Sequence, residues 1–210
     1  MGTMLTKFTI KGRRHLPKKG PFIIVMNHFN LVDPFFALYA IQRPSVFLMA
    51  SDQVIDWFNY WALWIYGVIP VNRKRMGPST IKMAKKYIKS KEILGIFPEG
   101  AVGPDLRKPK PGAIFISKLE EVPIVPLGIC GIDKPYYHYI FRGLRPVINA
   151  QFGKPMNPGS LPQDKNERER ELARIGDDMM CRLAALLPDA MHGEYAGEKS
   201  IEIYRKENTA

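Results

Sequence analysis

The sequence predicts an α/β fold: a single-domain α/β sandwich whose mostly parallel, mixed sheet is flanked by helices. Three observations predict it. Short apolar runs recur along the chain, as buried strands require. Helical patterns lie between most of them, as parallel crossovers need. No repeat and no Pro/Gly/Ser-rich linker divides residues 1–210, so one domain is expected.

In order, Lys7 to Gly12 alternates enough for an edge strand, and His15 to Gly20 is a basic turn. Phe22 to Met26 is a short buried strand. Pro34 to Gln42 is apolar on most faces, as a packed helix is. Asp33-Pro34 fits a helix start, with Asp as N-cap and Pro first inside. Ser45 to Ala50 reads as a strand.

Asp56 to Tyr66, DWFNYWALWIY, holds all three tryptophans. Trp57, Trp61 and Trp64 share one helical face. The stretch is too short and too interrupted to span a bilayer. A packed core accommodates one or two such rings; three in register also fit a helix in the lipid headgroup region. Both readings stay open at this point.

Val68 to Val71 is a strand opening into Asn72-Arg73-Lys74-Arg75. A helix follows from Gly77-Pro78-Ser79 to about Lys89, with Ile81, Ala84, Tyr87 and Ile88 inward. Glu92 to Phe97 is a strand ending in Pro98-Glu99-Gly100, and a loop rich in Gly, Pro and cations runs to Lys110. Gly112 to Leu119 is a helix. Val122 to Cys130 is a strand broken by Pro123 and Pro126. Tyr136 to Arg142 and Val147 to Phe152 suggest a strand pair near a final edge. A charged amphipathic helix spans 164–187, and the polar tail 188–210 is expected to be loose.

Thirty-one Lys and Arg against twenty Asp and Glu give a net charge of +11. Such a chain favours anionic partners: acidic lipid, phosphorylated substrate or nucleic acid. Nucleic acid fits least, because the aromatics cluster with apolar residues instead of interleaving with Lys and Arg. The two cysteines, Cys130 and Cys181, form no CxxC and do not group with the histidines, so no metal site is expected. A reducing compartment is the simplest inference, and the N-terminus shows no secretory h-region.

Three strand ends share one design, an apolar run followed by polar residues. They are Asn27-His28 with Asp33, Asn72 to Arg75, and Glu99-Gly100. A charge run is most often a solvated loop, and a Pro-Glu-Gly turn most often only a turn. In a mostly parallel sheet, however, these ends meet at one edge, where such folds place their chemistry. An imidazole backed by a carboxylate is a minimal general base. The bland alternative is that Asp33 only caps a helix and His28 is a polar loop residue.

His28 to Asp33, HFNLVD, matches the HX4D signature of the glycerolipid acyltransferases, the 1-acylglycerol-3-phosphate (PlsC-type) group. Gly67 to Arg73 (GVIPVNR), Phe97 to Gly100 (FPEG) and Val122 to Pro126 (VPIVP) resemble that family's second, third and fourth motifs, in the family's order. The resemblance covers about residues 5–155. It implies acyl transfer from a thioester, acyl-CoA or acyl-carrier protein, to a lipid hydroxyl, most simply that of 1-acylglycerol-3-phosphate, giving phosphatidate. No other cofactor is implied.

In that reading His28 deprotonates the acceptor and Asp33 holds and charge-balances it. No G-x-S-x-G elbow offers a serine nucleophile. Arg73 matches the arginine that binds the acceptor phosphate. Glu99 and Gly100 shape the acceptor pocket, and Pro123 and Pro126 belong to the acyl side. Many members follow Pro-Glu-Gly with Thr-Arg. Here Ala101-Val102 stand there, and Arg107 or Lys110 on the same loop are the candidates to replace the missing cation.

The chain is short at its N-terminus, which makes Trp57, Trp61 and Trp64 and the basic surface the expected contacts with an anionic membrane. A cytoplasmic position, peripheral on the inner face of the cell membrane, is expected. Alternatives are a different lipid or glycolipid acceptor, or a non-catalytic basic protein that binds anionic membranes.

Overall fold

Ile23–Met26 alternates between two cores, and that alternation organises the molecule. Ile23 and Val25 face one apolar cluster, Ile24 and Met26 the other, and all four side chains are fully buried. A strand buried on both faces must lie in the middle of a sheet covered by helices on each side. The computed structural model, which describes residues 6–50, 68–71, 77–90, 92–132, 138–139 and 142–209, has this architecture.

Seven strands are described: β1 (Lys7–Lys11), β2 (Ile23–Met26), β3 (Ser45–Ala50), β4 (Val68–Val71), β5 (Ile93–Ile96), β6 (Ile124–Cys130) and β7 (Val147–Phe152). They form one sheet in the order β1-β7-β6-β2-β5-β3-β4. Strands β2 to β6 run parallel to one another, whereas β7 is antiparallel to β6 and parallel to β1. The sheet is therefore mixed and mostly parallel.

The helices are α1 (Asp33–Ile41), α2 (Pro78–Lys89), α3 (Gly112–Glu120), α4 (Lys165–Ala184) and α5 (Lys199–Thr209). Ala37, Ala40 and Ile41 of α1 cover one face of the sheet, against Phe22, Val125, Ile148 and Phe152. Helices α2, α3 and α4 cover the other through Ala84, Ile88, Ile114, Ile116, Ile175 and Met179. Helix α1 starts one residue before the expected position. Val32 is its N-cap and Asp33 its first residue, with Pro34 in the first turn. None of the described helices is long and apolar enough to cross a membrane.

Two expectations are corrected. The tail after Pro188 is not loose. Two short 3-10 turns lead into α5, whose Ile201 is buried and whose Tyr204 hydroxyl donates to Asp178 of α4. Its few apolar residues suffice because α4 presents a complementary face. Nor are the described residues of 136–142 in a strand: His138 and Tyr139 are helical, Arg142 is in a turn, and β7 takes β6 and β1 as partners. Backbone N–H groups that β1 satisfies from across the chain need no local hairpin.

Candidate active site

The parallel strands bring their C-terminal ends to one edge. Met26 is level with Leu127, and Val25 with Ile96. The chain that leaves β2 at Asn27 therefore lies directly beside the chain that leaves β5 at Phe97.

Asn27 is fully buried, and its amide fixes the first of these ends. Its Nδ2 donates to the Ile129 carbonyl at 2.8 Å, and its Oδ1 accepts from the Ile129 N–H at 2.8 Å. One side chain thus replaces a ladder pair and ties β2 to β6 where His28 begins. Nothing in the sequence motifs assigns Asn27 a role; a polar residue straight after a buried strand is the signal that points to it.

His28 is packed, not loose. Its ring stacks on Phe97 with centroids 4.1 Å apart and planes at 25°. Its Nδ1 is buried and lies 3.5 Å from Asp33 Oδ2. That is an ion-pair distance, outside hydrogen-bond geometry; contacts between a base and its carboxylate are commonly long in the absence of substrate. Asp33 is itself held: Oδ2 accepts from the N–H groups of Phe29 and Asn30, both at 2.7 Å. The four residues between His28 and Asp33 thus form a turn around the carboxylate. Asp33 is not the N-cap of α1: its carboxylate accepts from N–H groups that precede the helix and faces His28, so it shapes the turn and not the helix end.

The second end supplies a buried acid. The Glu99 side chain has no exposed surface. Burial pushes its carboxyl up to about 7, against the lowering pull of Arg107 and of the nearby His28 backbone. Arg107 places Nη2 at 3.2 Å and Nε at 3.4 Å from Glu99 Oε2. The same Nη2 donates to the Ala101 carbonyl. The guanidinium is thereby folded back over the residues straight after Pro-Glu-Gly.

Two glycines make this fold-back possible. Gly100 has φ of +75°, and a Cβ there would stand 2.9 Å from Lys110 Cε. A Cβ on Gly103 would stand 2.7 Å from Arg107 Cζ. The Gly103 N–H donates to the His28 carbonyl at 2.9 Å, and the Lys110 N–H to Pro98 O at 2.8 Å. His28, Asp33, Glu99, Gly100, Arg107 and Lys110 are therefore one cluster.

The C-terminal segment holds this loop from outside. Leu106, fully buried, donates to Met191 O and accepts from the Glu194 N–H, both at 3.1 Å. Lys108 Nζ lies 2.7 Å from Asp177 Oδ1, which also accepts from the Tyr195 hydroxyl at 2.8 Å.

The prolines do not join the cluster. Pro123 accepts from the Ile23 N–H, at the far end of the sheet from His28. Pro126 is inside β6, level with Val25. It lies one residue before the β6–β7 ladder begins, and its carbonyl accepts from Gly153. A missing N–H costs nothing at that position. Arg73 lies outside the described residues, although β4 ends at the same edge as β3. Trp57, Trp61 and Trp64 also lie outside them.

With this geometry in view, a family profile described as Acyltransferase matches residues 7–130. The chain belongs to the acyltransferase family. Its similarity extends to 1-acyl-sn-glycerol-3-phosphate acyltransferases. That of Bacillus subtilis is 30% identical over 124 residues, covering 58% of this chain and 62% of the relative. That of Borreliella burgdorferi is 31% identical over 125 residues, covering 58% of this chain and 50% of the relative. The chain thus spans between half and two thirds of the length of these relatives. The fold is also that of a crystal structure titled as the 1-acyl-sn-glycerophosphate (LPA) acyltransferase PlsC from Thermotoga maritima. The TM-score is 0.54 and the identity 21%, over 82% of this chain and 70% of that one. The four stretches that resemble family motifs fall inside the matched region, and the segment that braces Leu106 falls outside it.

Proposed function

We propose that this acyltransferase moves a fatty acyl group from a thioester, acyl-CoA or acyl-carrier protein, to the hydroxyl of 1-acylglycerol-3-phosphate, giving phosphatidate. The observation that carries the reading is the placement of Asp33 Oδ2 at 3.5 Å from His28 Nδ1 while two backbone N–H groups hold the same oxygen. Nδ1 is turned inward, so Nε2 is the nitrogen that meets the acceptor.

As the hydroxyl oxygen attacks the thioester carbonyl carbon, Nε2 takes its proton. The C–S bond then breaks and the imidazolium returns that proton to the departing thiolate. Asp33 stabilises the imidazolium between these steps. Arg107 and Lys110 give the acceptor phosphate a cationic neighbour on the Glu99 loop, with Arg73 a further candidate. The acyl thioester is the co-substrate, and no cofactor takes part. The enzyme works at the cytoplasmic face of the cell membrane, bound peripherally.

An acceptor screen tests this. Thiol release is followed with lysophosphatidate, glycerol phosphate, other lysolipids and glycolipid alcohols. Lysophosphatidate should release thiol fastest, and His28→Ala should lower that rate about 1,000-fold, within the range for lost general-base catalysis. No release with any lysolipid, or normal turnover by His28→Ala, rules the reading out.

A further inference from the structure

The charge of this chain is distributed unevenly. Residues 1–32 contain six Lys and Arg and no Asp or Glu, and residues 134–163 contain four and none. Ten cations in those two stretches leave twenty-one cations against twenty acids for the rest. Nearly all the net charge of +11 thus belongs to two segments far apart in sequence.

Those segments fold together. Strands β1 and β7 pair residue by residue, Lys7 with Val147 through Lys11 with Gln151. Their inward residues, Phe8, Ile10, Ile148, Ala150 and Phe152, pack on the α1 side. Their other residues face the side that α2, α3 and α4 cover elsewhere, and there Lys7, Thr9, Lys11, Val147 and Asn149 are exposed. The turn leading into β7 adds exposed Arg142, Leu144 and Arg145. Leu144 is 54% exposed and Val147 is 51% exposed. Because Cys130 pairs with Asn149, this turn lies at the same sheet edge as His28.

We propose that the exposed face of β1 and β7, with the turn at 142–147, docks on the surface of an anionic bilayer. The two stretches that build this surface carry cations and no acids, which matches anionic headgroups. The surface also offers two apolar side chains among those cations, which suits the headgroup–acyl boundary and serves no purpose against a free polyanion. Choosing a bilayer rests on the lipid acceptor proposed above. The docking face would present the His28 edge to a leaflet that holds the acceptor.

The test is sedimentation with phosphatidylcholine vesicles containing about one third phosphatidylglycerol. A triple variant, Lys7→Gln with Lys11→Gln and Arg142→Gln, should bind about 100-fold more weakly, at roughly fivefold per cation near the membrane. The matched control is Lys82→Gln with Lys86→Gln and Lys89→Gln. It removes equal charge from exposed positions of α2, which packs on β4 and β5 at the opposite flank. It should lose less than about threefold.

Equal losses in both triples mean that net charge alone governs binding and overturn the proposal. So does unchanged vesicle binding by the first triple, including the case where that triple instead loses retention on duplex DNA or an acidic protein. Thiol release from a soluble, short-chain lysophosphatidate should be unchanged in the first triple. Should the wild type release no thiol while vesicle binding still follows the first triple, the acyl-transfer reading falls and the docking face stands.

Discussion

Arg107 Nη2 lies 3.2 Å from Glu99 Oε2, and this pair joins the two halves of the site loop. The His28 backbone also lies close enough to lower the Glu99 carboxyl. A change in its charge is therefore felt at the histidine and at the arginine together.

Replacing either partner should change how stability depends on pH. The Glu99 carboxyl sits at about 7 when folded, against 4.5 unfolded. Between those values the folded protein holds more protons, so stability falls as pH rises. The full effect is about 3 kcal/mol. Urea unfolding at pH 5 and pH 8 should show Glu99→Gln gaining on the wild type as pH rises. Arg107→Ala leaves the buried carboxylate alone and should cost about 3 to 5 kcal/mol at pH 8. At pH 5, where Glu99 is protonated, it should cost far less. Parallel curves for all three proteins would show that Glu99 does not titrate in this window.

Asp33→Asn separates holding from charging. The amide oxygen can still accept from Phe29 and Asn30, so the melting temperature should stay within a few degrees. The charge that balances the imidazolium is gone, and kcat should fall at least about 100-fold with little change in acceptor KM. Steady-state thiol release decides it. A loss confined to KM would mean that Asp33 only shapes the loop.

Gly193→Ala probes the brace around Leu106. Gly193 has φ of +51°, and a Cβ there would stand 2.2 Å from the Leu106 carbonyl oxygen. Leu106 precedes Arg107, so the displacement reaches the Glu99 pair. We expect kcat/KM to fall about tenfold, or about 1.4 kcal/mol, alongside a lower melting temperature. Gly197→Ala is the control, with φ of +85° and open space around it. It should lower stability through backbone strain while leaving turnover unchanged. Equal activity losses in both variants would point to general destabilisation.

Much of the fold was legible because it is written in local pattern. Ser45–Ala50 and Val68–Val71 are strands over the ranges that their apolar runs suggest. The meeting of His28 and Glu99 followed from parallel strands ending at one edge, which needs only topology. What escaped is non-local. Nothing near Lys7–Lys11 says that its partner is Val147–Phe152. Helix α5 has too few apolar residues to signal burial without the face of α4. The Glu99–Arg107 pair spans a loop whose path depends on Gly100 and Gly103, and a composition rich in Gly and Pro does not specify that path. Pro123 and Pro126 rest on a motif match alone: the structure puts them just before and inside β6, away from the His28 cluster, and no strand pattern marks an acyl pocket.

The β1–β7 pairing also sets a timetable. Lys7 is made 140 residues before Val147, to which it pairs. At a synthesis rate of about 5 to 20 residues per second, that is a wait of roughly 7 to 28 s. Throughout it the nascent strand has no neighbour to lie against. Lysines at both of its ends guard it against sticking to another growing copy, so a strand made well before its partner is among the last to be seated.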